Sequence, residues 1–82
     1  MKSEIFSSAI SNRNEVRFLY LMNEIVLHPY YISREKSGKK VIYGRMSNSS
    51  SIKKFELGRI ANLRVFDKIK FSPIIPLMSK VS

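Results

Sequence analysis

Four tyrosines, Tyr20, Tyr30, Tyr31 and Tyr43, are interleaved with basic residues, and Arg45, Lys53 and Lys54 follow the last of them closely. Aromatic faces stack on bases while Arg and Lys hold phosphates, which is how sheet-based modules bind single strands. Tyrosine is also simply a good strand residue, so the same pattern can be structural. Tyr20 follows the alternation of Val16 and Phe18 and reads as core. Tyr43 shares its parity with Val41 and Arg45, and both readings stay open there. Arg45, Lys53 and Lys54 form one patch if their strands pair. A second group, Arg34, Lys36, Lys39 and Lys40, flanks a hairpin tip and reads as solvated, because lysines there discourage edge-to-edge association.

Arg59 follows Gly58 at the end of the alternating stretch IKKFEL. Its planar fork suits phosphate or carboxylate. It either closes the turn by bonding backbone carbonyls or offers its charge to a ligand. His28 is the sole histidine, with no ligands grouped near it to complete a metal site. By strict alternation it shares a face with Val26 and Tyr30. It reads either as a partly buried hydrogen-bonding side chain or as a ligand contact beside Tyr30 or Tyr31. Catalysis is not expected: there is no cysteine, no closely paired acids, no defensible Ser-His-Asp set and no glycine loop for phosphates. No cofactor is expected.

Fifteen Lys and Arg face six acids, a net charge of +9 on 82 residues. That imbalance attracts anionic partners at long range. The alternative is that it serves solubility alone. The chain is the size of one domain, and 44% apolar content is too high for disorder. Without cysteine there is no disulfide framework, which fits a cytoplasmic location. The N-terminus lacks the apolar core of a signal peptide. No apolar run approaches the roughly 20 residues that cross a bilayer, so no membrane is expected.

These side chains need elements to position them. Ser3 can cap a helix over 3–12, with Ile5, Phe6, Ala9 and Ile10 at spacings of three and four. From Arg13 the period becomes two. In VRFLYLM both faces are largely apolar, which predicts a strand covered on both sides. Asn23-Glu24 is a plausible tight turn. A long second strand, EIVLHPYYIS, carries Pro29, whose missing amide hydrogen demands an edge, bulge or bend. KVIYGRM is the third strand, with Gly44 as a second candidate bend, and IKKFEL the fourth. ANLRVFD, 61–67, is the fifth. Gly58-Arg59-Ile60 is too short for a crossover and suits a 3₁₀-like turn in which Gly58 lets the chain bend sharply. The expected architecture is mainly β with one N-terminal helix, a small five-stranded curved barrel in a single domain over 1–82. An apolar tail, 69–82, packs along the domain or against a partner.

The order of these features resembles a WYL domain. AISNRNEVRFLY looks like that family's opening helix and first strand, and LHPYYI like its proline-bearing strand. KKVIYG stands where the Trp-Tyr-Leu triplet belongs, and FELGRI is similar to the signature Phe-x-Leu-Asp-Arg-Ile. The departures are Val41-Ile42-Tyr43 for the triplet, Gly58 for the aspartate and Glu56 for a second basic residue. The resemblance covers about Ala9 to Phe66. It implies an Sm-like or SH3-like barrel and makes Arg59 the signature arginine. It also implies a sensor of nucleic-acid or nucleotide-like ligands, as found behind winged-helix domains in bacterial regulators or beside defence systems.

Two functions follow as expectations. One is a non-catalytic regulatory module that binds nucleic acid or a nucleotide, single strands ahead of duplex, through Arg59, Arg45, Lys53, Lys54, Tyr43, His28 and Tyr30. The other is an assembly module using apolar strand faces, edges and the C-terminal tail to form a homodimer or to dock a DNA-binding domain absent from this chain.

Overall fold

A computed structural model describes residues 1–72. The sequence-predicted tail lies outside the described residues from 73 onward. Helix α1 (Lys2–Asn12) is followed by strands β1 (Asn14–Tyr20), β2 (Asn23–Arg34), β3 (Lys40–Met46) and β4 (Ile52–Glu56). A 3₁₀ turn, Leu57–Arg59, then leads into β5 (Ala61–Lys70). All pairings are antiparallel, in the order β4-β3-β2-β1-β5. The sheet is curved, as expected, but the edge strands β4 and β5 do not pair and the barrel stays open.

The helix buries Phe6, Ala9 and Ile10 on the sheet. Ile5 is 39% exposed, because it lies one residue, about 100°, off that stripe. The helix begins at Lys2, capped by Met1 with no side-chain bond, so Ser3 is inside it rather than its cap. Phe18 organises the core. It meets Phe6, Tyr20 and Phe55 edge to face, at centroid distances of 6.1, 6.4 and 5.3 Å. These are preferred aromatic geometries. The Tyr20 hydroxyl accepts the Glu56 amide hydrogen at 3.1 Å, tying the end of β1 to edge strand β4. Tyr20 is therefore structural.

Three expectations need correction. The β1–β2 turn is Leu21-Met22, not Asn23-Glu24: Tyr20 pairs with Asn23, and both turn residues have positive φ (51° and 70°). Such two-residue turns normally recruit Asn or Gly. Here the cross-strand register overrides local preference, and the Asn23 side-chain amide donates to the Leu21 carbonyl. Second, β1 is not covered evenly on both sides. Val16 and Phe18 are wholly buried, whereas Leu19 on the other face is 37% exposed. Third, Gly58 does not serve the turn through backbone freedom. Its φ is not positive, and a Cβ added there would meet nothing within 4 Å. The Leu57 carbonyl instead accepts bonds from the Ile60 amide (3.1 Å) and Lys2 Nζ (3.0 Å), and these close the turn.

Pro29 sits in the central strand, and a bulge absorbs it. Pro29 opposes Gly44 and Tyr31 opposes Tyr43, leaving Tyr30 as the extra residue. Gly44 is required by close approach rather than by bending. A Cβ there would lie 2.6 Å from the His28 carbonyl oxygen and 2.8 Å from Leu27 Cγ.

Candidate functional site

Residues opposed across antiparallel strands share a face. On the face turned away from the Phe18 core, β2 presents His28 and Tyr31, β3 presents Arg45, Tyr43 and Val41, and β4 presents Ile52, Lys54 and Glu56. The bulge decides this set. Strict alternation would give Tyr30 the place beside Tyr43, but the extra residue hands it to Tyr31. The Tyr31 and Tyr43 rings stack with centroids 4.7 Å apart and 15° between planes. Both are partly exposed. Tyr30 is wholly buried against Phe71, at 5.9 Å, and presents no ring to solvent.

Cations surround the tyrosine pair, partly neutralised by acids. Lys54, opposite Tyr43, is ion-paired with Glu35. The hydrogen bond and charge of that carboxylate hold the Lys54 ammonium above its ordinary pKa. Glu56 pairs with both Lys39 (3.7 Å) and Arg59 (3.3 Å). Arg59 therefore spends its Nε on a side chain and bonds no backbone carbonyl of the turn. It lies beyond Glu56, itself four residues or roughly 13 Å of strand from Ile52, the residue opposite Arg45. Arg45 and Arg59 mark two ends of one strip rather than one cluster. Lys53 opposes Gly44 and belongs to the other face, so Lys53 and Lys54 do not act together.

Beside this strip runs a buried polar chain. Glu15 accepts from Arg17 through Oε2, at 3.2 Å from Nε and 3.0 Å from Nη2. Its Oε1 lies 3.1 Å from His28 Nε2. His28 Nδ1 lies 2.7 Å from Arg45 Nη2, and Arg45 Nη1 donates to the Ser49 carbonyl at 2.9 Å. The imidazole lies flat against Phe71, with centroids 4.7 Å apart and planes within 3°. Arg17 lies over the Phe66 ring at 4.1 Å. His28 is thus a buried hydrogen-bonding residue, linked toward the surface by Arg45 on one side and by Glu15 and Arg17 on the other. Glu15, Arg17 and Phe71 are absent from the sequence-derived set. Nothing in their local pattern announces them, because it is register that sets Glu15 beside His28.

The described surface also carries grooves away from this strip. One is lined by Ile5, Asn12, Asn14, Val65 and Asp67, and another by Lys2, Ser3, Lys40, Leu57 and Gly58. Among the described residues no group of three or more His, Cys, Asp or Glu is placed to hold a metal. None of the described helices is long and apolar enough to cross a membrane.

No family model matches the chain, and no curated protein is similar to it. Among solved structures, the chain is similar to Proteasome accessory factor B/C (PafBC) of Arthrobacter aurescens, with a TM-score of 0.74 and 19% identity. The match covers 85% of this chain and 12% of that one, so this chain spans a small part of that protein's length. At that identity the likeness shows a shared fold. The shared fold is consistent with the WYL domain that LHPYYI and FELGRI resemble.

Proposed function

We propose that this chain is a non-catalytic sensing module of a bacterial cytoplasmic regulator, binding a nucleic-acid strand or nucleotide-like anion on the outer face of β2, β3 and β4. The observation that carries this reading is the Tyr31–Tyr43 stack, bordered on the same face by Arg45 and Lys54. A planar base extends the stack while the cations take its phosphates. The fold shared with PafBC is the support that this comparison lends to the reading.

Fluorescence anisotropy with short labelled single-stranded DNA and RNA tests it, at low and moderate salt, on wild type, Tyr43→Ala and Arg45→Ala. Salt-sensitive binding, weakened in both variants with the fold intact by circular dichroism, is the expected result. Absence of binding to either strand rejects the strand reading.

A second reading, assembly through apolar surface, rests on the Leu21-Met22 tip, exposed by 63% and 96%. Light scattering at high protein concentration separates the two. A salt-insensitive dimer without nucleic-acid affinity favours assembly.

A further inference from the structure

The hydrogen bonds around His28 determine where its ring proton sits. Arg45 Nη2 is a guanidinium nitrogen that can only donate, so Nδ1, 2.7 Å away, accepts. Glu15 Oε1 is a carboxylate oxygen that only accepts, so Nε2, 3.1 Å away, carries the hydrogen. The ring is therefore singly protonated, at Nε2. A second proton has no place while Arg45 points its own N–H at Nδ1. Two further described groups bear on the ring. Phe71 covers its face and carries no charge, and Arg17 acts on it only through Glu15.

Arg45, in turn, spends its fork on neutral acceptors. Nη2 goes to the imidazole, Nη1 to the Ser49 and Met46 carbonyls, and Nε is buried with no partner among the described residues. A phosphate offers charged oxygens, whose bonds to guanidinium are about twice as strong as neutral ones. Because the Nε edge is buried, a phosphate gripped with two prongs takes Nη1 and Nη2, and Arg45 then gives up a present partner.

We infer that anion binding at Arg45 is coupled to proton uptake by His28: the guanidinium leaves Nδ1 for the anion, and the freed nitrogen takes a proton from solvent. This rests on the binding face proposed above and describes its regulation. The added proton breaks no covalent bond. It turns the Glu15–His28 contact into a charged pair and places a second cation behind the anion. Binding then tightens as the pH falls, by at most roughly tenfold per pH unit for one proton taken up.

Two measurements test the inference on the full chain. Long-range proton–nitrogen NMR of the free protein reads the tautomer. The Nε2–H form is expected, and an Nδ1–H or doubly protonated ring overturns the coupling without reference to any ligand. Isothermal titration calorimetry with a short oligothymidylate, in buffers of different ionisation enthalpy, counts protons. Uptake of about one proton per site is expected for wild type. His28→Gln can keep both hydrogen bonds but cannot titrate, so it should bind with no uptake. Binding by wild type without uptake overturns the coupling and leaves the binding face standing. No binding at all overturns both.

Discussion

Tyr31 stacks on Tyr43 at 4.7 Å because Tyr30 is the extra residue of the bulge beside Pro29. The two adjacent tyrosines thereby take opposite jobs, one as a surface ring and one as core. Tyr31→Ala and Tyr43→Ala are each expected to weaken single-strand binding by about 1–3 kcal/mol while leaving the melting temperature little changed. Tyr30→Ala should instead lower stability by about 3–5 kcal/mol, the range for large aromatic core truncations. Anisotropy and thermal denaturation of the three variants separate these roles. Unchanged binding in both surface variants would rule out the stack as a platform.

The two glycines inside and beyond β3 should respond oppositely to alanine. At Gly44 the added carbon collides with the His28 carbonyl and the Leu27 side chain, both held by the core. A loss of roughly 1–3 kcal/mol is expected from overpacking. Gly58 has open space and no positive φ, so Gly58→Ala should be neutral or stabilise by about 0.4–1 kcal/mol, through the unfolded chain. Urea unfolding of each variant gives the sign directly.

The aromatic centre and the Tyr20–Glu56 bond are separable. Phe18→Ala removes the ring that meets Phe6, Tyr20 and Phe55, and should cost about 3–5 kcal/mol. Tyr20→Phe keeps the packing and leaves the Glu56 amide without its acceptor, at about 1 kcal/mol. Amide hydrogen exchange should show that loss first at Glu56.

The Glu35–Lys54 pair gives a pH signature. The Lys54 pKa is raised in the folded state. Its contribution is therefore complete below the unfolded lysine value and disappears as pH rises through the folded one. Lys54→Met should differ slightly from wild type at neutral pH and converge with it in strongly alkaline solution. The difference is small because the ammonium is exposed. Denaturation midpoints across the alkaline range check this.

Salt dependence distinguishes the strip from the hairpin tip. Arg45→Ala and Arg59→Ala should each reduce the slope of log affinity against log salt by about 1, if each neutralises a phosphate. Lys36→Ala, at the β2–β3 tip, should leave the slope unchanged. Equal effects at Arg59 and Lys36 would remove Arg59 from the site.

Local chemistry is enough to read one class of features from the chain. Alternation in VRFLY and KVIYG, the spacing of Phe6, Ala9 and Ile10, and the missing amide hydrogen of Pro29 depend on neighbours in sequence. They specify the helix, the strands and the need for an edge, bulge or bend at Pro29. The short Gly58-Arg59-Ile60 link likewise allows little besides a 3₁₀-like turn. What tertiary structure alone decides is everything set by register. One extra residue at Tyr30 gives Tyr31 the place beside Tyr43. Pairing of β1 with β2 makes Leu21-Met22 a turn against its own preference. Pairing of β2 with β1 and β3 brings Glu15, His28 and Arg45, from three strands, into one hydrogen-bonded chain. A side chain's face follows from its own strand, but its partner follows from how two strands slide past each other. That choice is made by the burial of Phe18, Leu27, Ile42 and Phe55 together.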